Sequence, residues 1–139
     1  MGRAVKHIPL IKSVMTAFPY FIEVDAGLKA ATQMMERHGI RHLPVKDGDQ
    51  LIGVVSDRDI KRAKRELHVS DIVVRETYIV NLTERLDSVL LHLAQRHIGC
   101  ALVVKEGRLA GIFTTTDACR VFGEYLRSLF PTEPGDDVA

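Results

Sequence analysis

Apolar and polar positions along this chain follow one order of elements and then follow it again. In the first pass, Tyr20 to Val24 is a short β-prone run that ends at Asp25-Ala-Gly27. From Leu28 the apolar residues fall at helical spacing (Leu28, Ala31, Met34, Met35), with Glu36, Arg37 and His38 turned outward. Gly39 then reads as a C-cap stop. Leu43 to Val45 starts a strand, Asp47 to Asp49 supplies turn residues, and Leu51 to Val55 returns as the second strand of a hairpin. Ser56 to Asp59 opens a helix expected to carry Ile60, Ala63 and Leu67. In the second pass, Tyr78 to Leu82 is extended. A helix over Leu86 to Ile98 places Leu86, Val89, Leu90, Leu93 and Ala94 on one face. Ala101 to Val104 and Leu109 to Phe113 form a hairpin around Glu106-Gly107, and Asp117 to Leu129 is the last helix.

The two passes align without a gap at a constant offset. Tyr20 meets Tyr78, Leu28 meets Leu86, Val45 meets Val103, Asp59 meets Asp117 and Arg62 meets Arg120. Conservative matches fill the spaces between, such as Ile11/Val69, Val14/Ile72 and Val54/Ile112. Two copies of this length argue for a duplicated domain rather than an open solenoid. The expected fold is α+β: two β-α-β-β-α repeats related by a pseudo-two-fold axis, their sheets covered by helices. The expected divisions are an N-terminal extension (1–9), repeat one (10–66), repeat two (67–126) and the end of the last helix with its tail (127–139). The tail from Pro131 to Ala139 is rich in Pro, Gly and Asp, a composition that favours disorder.

Within the duplication, one segment carries chemistry. Gly53 to Asp59 (Gly-Val-Val-Ser-Asp-Arg-Asp) answers Gly111 to Asp117 (Gly-Ile-Phe-Thr-Thr-Thr-Asp). A carboxylate can accept from both hydroxyls of a ribose, and a hydroxyl in the first turn of a helix suits a phosphate. Asp59 and Asp117 are therefore candidates for ribose, and Ser56 and Thr114 for phosphate. Thr116 is a further polar contact, and Arg58 or Arg41 a source of positive charge. The same spacing also makes a capping box, hydroxyl at the N-cap and carboxylate three residues on. The two roles are compatible.

Val14-Met15-Thr16, His38 to Val45 (His-Gly-Ile-Arg-His-Leu-Pro-Val) and Gly53 to Ile60 resemble the signature stretches of cystathionine-β-synthase (CBS) domains. Val69 to Ile72 and Gly111 to Asp117 carry the resemblance into the second half, so it covers nearly the whole chain. It implies a tandem pair folded into one unit (a Bateman module) that senses an adenine nucleotide or related adenosyl compound and is not itself a catalyst. It implies further that the base is lined by Val14, Met15, Thr16, Phe18, Pro19 and Ile40 to His42. The corresponding residues of the second half are Val73, Val74, Thr77, Tyr78 and Ile98 to Ala101, including Gly99 and Cys100. The second half departs from the pattern at Leu102, where the first has Pro44, and at Val73-Val74, where the first has Met15-Thr16. Two unequal sites are expected, with the second tetrad the better candidate for the nucleotide.

Composition narrows the partners. Nineteen basic against eighteen acidic residues give a formal charge of +1, so no global field draws the chain to nucleic acid or membrane. No apolar run reaches the roughly 20 residues needed to span a bilayer, and the N-terminus lacks the pattern of a signal peptide. Two cysteines, Cys100 and Cys119, suit a reducing cytoplasm. His38 and His42 lie four apart, but Gly39 and Arg41 break the helix geometry such a pair needs, and no metal is expected. The basic run Lys61 to Arg65 reads as a solvated helix face or a source of phosphate attraction. Phe122, Tyr125, Leu126, Leu129 and Phe130 give the last helix an apolar stripe suited to dimerisation. The expected function is a regulatory module that binds AMP first, then ATP or ADP, then S-adenosylmethionine, and relays occupancy to a partner; no cofactor is required. The alternatives are a dimerisation adaptor whose motifs only cap helices and a nucleic-acid-binding module. An enzyme is not expected, since no nucleophile–base pair with an orienting group is present.

Overall fold

The computed structural model describes residues 7–63 and 67–131. Ile11–Ser13 forms a single 3-10 turn, followed by β1 (Thr16–Ala17), β2 (Ile22–Glu23), α1 (Leu28–His38), β3 (His42–Asp47), β4 (Gln50–Ser56) and α2 (Asp57–Arg62). The second half gives α3 (Val69–Ile72), β5 (Ile79–Asn81), α4 (Leu86–Arg96), β6 (Cys100–Lys105), β7 (Arg108–Thr114) and α5 (Thr115–Leu129). The expected tail from Pro131 lies, beyond that residue, outside the described residues, as do Lys64 and Arg65 of the basic run.

Turn chemistry fixes both hairpins. Asp47 lies opposite Gln50, and Gly48 opens the loop between them at φ 60°. In the other hairpin Lys105 lies opposite Arg108, and Glu106 and Gly107 sit at φ 53° and 78°. Two positive φ values are what a type I′ turn demands, and its twist matches that of the strands. A register shift recurs at matching places, between Val45 and Lys46 and between Val103 and Val104.

The helices bury one stripe each. Leu28, Ala31 and Met35 of α1 enter the first core, and Leu86, Val89 and Leu93 of α4 enter the second. Ala94, placed on that face by periodicity, is exposed. Gly39 and His97 end these helices in the left-handed conformation. The helix opened at Ser56 stops at Arg62 and does not carry Ala63 or Leu67. Leu67 instead accepts from the Leu28 N–H, and Val69 donates to Ala26, so the chain is already turning back onto the start of α1.

The sheets have the orders β2-β3-β4 and β1-β7-β6-β5. Strand β1 of the first half thus belongs to the second half's sheet, with Thr16 opposite Ile112. The reciprocal crossing is an isolated bridge between Val74 and Val54, closed by two backbone hydrogen bonds of 3.1 and 2.9 Å. Packing follows the same exchange: Ile11 is buried in the core of the second repeat, and Val69 in that of the first. Glycine at the head of each duplicated segment makes room for the crossing strand. A Cβ on Gly53 would strike the Val74 carbonyl, and one on Gly111 would strike Met15 Sδ and, at 3.0 Å, the Thr16 carbonyl oxygen. Between the sheets, Cys100, Leu102 and Ile112 pack with Leu51 and Val54.

Candidate functional site

Each β4–α2 and β7–α5 junction is locked by a reciprocal cap. Asp59 Oδ2 accepts from the Ser56 N–H (3.0 Å) and Ser56 Oγ (2.8 Å), while the Asp59 N–H donates to Ser56 Oγ (3.1 Å). Asp117 and Thr114 reproduce all three bonds at 2.9, 3.1 and 3.3 Å. The capping reading is therefore realised in both halves. It occupies one oxygen of each carboxylate. Asp59 Oδ1 has no hydrogen bond to any described residue, and Asp117 Oδ1 has only the Arg120 guanidinium, 3.8 Å away. Both half-buried carboxylates line one half-open cleft of about 1540 Å³ between the repeats.

The cleft gathers most of the residues singled out from sequence. Ser56, Arg58, Thr114 and Thr116 line it, as do Ile40, Arg41 and His42 with their counterparts Ile98, Gly99 and Cys100. Thr16, Pro19, Val74, Thr77 and Tyr78 line it from the crossing segments. Met15 does not. Its side chain packs on the second core against Gly111, because β1 has crossed into the other sheet. Val14 packs there too, and its carbonyl accepts from Arg120 at 3.3 Å. Val73 packs on the first core, Ala101 is fully buried, and Phe18 at φ 49° projects into solvent.

Sequence reasoning missed Tyr20, Asp57, Glu76, His92, Arg96 and Thr115, which also line the cleft, while Lys61 and Arg62 bring the basic run to its wall. Tyr20 and Arg62 were legible as repeated identities. Tyr20 stacks on His38 at 3.6 Å between ring centroids, and Tyr78 stacks on His92 at 3.9 Å. These pairs keep the same tyrosine but recruit histidines at unrelated positions. Burial raises the Tyr78 pKa, and the Glu84 carboxylate adds to the effect.

His42 leans across the pseudo-axis onto the other repeat. A Cβ on Gly99 would lie 2.8 Å from its Nε2, so a side chain there would push the ring aside. Burial lowers the His42 pKa; the Asp59 carboxylate opposes this and the Arg41 guanidinium reinforces it. Cys100 is buried and its thiol pushed up to about 12. Among the described residues no group of three or more His, Cys, Asp or Glu could hold a metal ion, and no helix is long and apolar enough to cross a membrane.

Comparison with known proteins agrees with this arrangement. A family profile for the CBS domain matches residues 11–66 and again residues 69–124. Inosine-5′-monophosphate dehydrogenase of Thermoplasma acidophilum is 28% identical over 114 residues, a stretch covering 81% of this chain and 24% of that enzyme. The chain thus spans about a quarter of the length of that relative. A crystal structure of a putative acetoin utilization protein (AcuB) from Vibrio cholerae superposes with a TM-score of 0.82 at 26% identity, covering 92% of this chain and all of that one. The CBS domain pair of protein MJ0100, crystallised with 5′-methylthioadenosine and S-adenosyl-L-methionine, superposes with a TM-score of 0.80 at 25% identity over 86% of this chain and 99% of that one. With both halves matched by the same profile and the pair folded as those structures are, this chain belongs to the CBS domain family and carries two such domains in tandem.

Proposed function

We propose that the chain is a regulatory module that binds an adenosine compound in the inter-repeat cleft and passes its occupancy to another protein. The observation that carries this is the pair of Ser/Thr-x-x-Asp caps, each with one carboxylate oxygen left over, on the wall of one shared cleft. The oxygen outside the cap suits ribose hydroxyls, and the capping hydroxyl with the adjoining N–H groups suits phosphate. A second observation supports it. The Thr77 hydroxyl is buried in a residue of the cleft wall and has no hydrogen-bond partner among the described residues. An unmet polar group of this kind costs about 1–3 kcal/mol unless a ligand or water satisfies it. The ligands of the MJ0100 domain pair are adenosine compounds, and the candidates for this chain are AMP, ATP, ADP and S-adenosylmethionine. AMP is the smallest of these that uses ribose and phosphate contacts together.

Binding, not turnover, is the chemistry these residues support. The exposed stripe of α5 supports a homodimer, and two unpaired thiols fit a reducing cytoplasm. Titration calorimetry with AMP tests the central reading. A saturable heat is expected, together with a melting temperature that rises with the logarithm of excess ligand. The double change Asp59→Ala and Asp117→Ala should abolish both signals. Binding that survives this change would sink the reading, as would silence with every adenosine compound.

A further inference from the structure

The two halves of the cleft share one backbone frame but differ in charge. In the first half the Asp57 N–H donates to the Arg41 carbonyl at 2.8 Å; in the second the Thr115 N–H donates to the Gly99 carbonyl at 3.0 Å. The positions of Arg41, Arg58 and Arg62 are therefore those of Gly99, Thr116 and Arg120. Arg58 and Arg62 stand four residues apart on α2, which puts them on one face of that helix. Arg41 is anchored by its backbone at the helix's first turn. All three line the cleft, and none forms an ion pair with a described residue. Their neighbours offer them little. Lys61 already holds Asp57 at 2.9 Å, and Asp59 has one oxygen committed to its cap. In the second half, Gly99 and Thr116 carry no charge. Arg120 is drawn away to the Val14 carbonyl, Asp117 and Glu124.

We infer that the first-repeat side of the cleft selects a ligand carrying two or more phosphates, through Arg41, Arg58 and Arg62. One phosphate is served by the cap hydroxyl and a single guanidinium. Three guanidinia on one wall, none paired with a described residue, gain most from a chain of phosphates, each oxygen pair accepting a bidentate contact. A neutral nucleoside or the sulfonium of S-adenosylmethionine gains nothing from them. Sequence alone favoured the second tetrad and AMP; the charges favour the first tetrad and a nucleoside di- or triphosphate.

This inference rests on the adenosine-ligand reading above, and calorimetry without divalent cations separates the two. The titrants are ATP, AMP and 5′-methylthioadenosine, at low and at high salt. ATP is expected to bind at least about tenfold more tightly than AMP, with a preference that shrinks as salt screens the guanidinia. The variant Arg41→Gln/Arg58→Gln/Arg62→Gln, its folding checked by circular dichroism, should bring the ATP-to-AMP ratio close to one. Arg96→Gln, on the second-repeat side, should leave the ratio intact. AMP and ATP binding alike to the wild-type chain would overturn the selection while the adenosine reading stands. So would a preference that survives the triple change or falls equally with Arg96→Gln. Failure of all three titrants would remove both.

Discussion

At the scale of single residues, burial decides which polar groups respond to solution conditions. His42 is held against Gly99 in an environment that disfavours its charged form, so its folded pKa lies below the ordinary value of 6.5. On acidification the unfolded chain takes up the proton first. The contribution of His42 to stability is therefore complete above the unfolded pKa and is lost as pH falls through the folded one. Thermal melts at about pH 7.5 and about pH 5.5 should show a smaller loss of melting temperature in His42→Gln than in the wild type. Equal losses would remove His42 from the account. The thiols make a parallel case. Cys119 is exposed, whereas Cys100 is buried with its thiol pushed up to about 12. Only a thiolate is nucleophilic. Ellman's reagent should therefore titrate one thiol in the native protein and two after denaturation, and Cys119→Ser should abolish the native reaction.

At the scale of elements, the crossing strands explain why each duplicated segment begins with glycine. A methyl on Gly53 collides with backbone, the Val74 carbonyl, whereas a methyl on Gly111 collides with the flexible end of Met15 and stays 3.0 Å from the nearest backbone atom, the Thr16 carbonyl oxygen. Backbone cannot step aside without breaking the Val54–Val74 bridge. Gly53→Ala should therefore cost about 3 kcal/mol or more, and Gly111→Ala about 1 kcal/mol, in urea unfolding. The reverse order would contradict the crossing geometry. Helix α5 presents a different problem. Phe122, Tyr125, Leu126 and Leu129 follow helical spacing and are 40–59% exposed, so the described residues leave the stripe uncovered. If a second copy covers it, Tyr125→Glu/Leu126→Glu should convert a dimer to a monomer in light scattering without lowering helix content. Much of this was legible in sequence, because hairpin turns and helix stripes are set by residues close along the chain. The caps at Ser56 and Thr114 were legible for the same reason. The exchange of lead segments was not. Strand β1 is two residues long, and its partner β7 lies nearly a hundred residues away, so no local pattern announces the pairing. That blind spot is why sequence does not reveal which core Met15 packs on, the one of the opposite repeat.

At the scale of the whole molecule, the sequence repeats and the packing units have different boundaries. The profile match divides the chain at residues 66 and 69, yet Val69 fills the core of the repeat before it and Ile11 fills the core of the repeat after it. Both side chains are fully buried, and each contributes about 2 kcal/mol of apolar burial to the core of the repeat it is not part of. A fragment ending at residue 66 would lose Val69 and the Val74 bridge while carrying an Ile11 with no core to enter. It would also expose Leu51 and Val54, which now face Cys100, Leu102 and Ile112. A half of this size is marginal even with its core intact. Fragments 1–66 and 67–139 should each lack cooperative melting when expressed alone. Mixed in equal amounts, they should regain the circular dichroism and the single transition of the intact chain, since every crossing contact is restored without the connecting peptide bond. A separate fragment that melts cooperatively would show that the exchange is dispensable. Mutual dependence of this kind also serves sensing. Under the proposed reading, a ligand in the cleft would touch Thr16 and Val74, which cross between the halves, and so would act on both repeats at once.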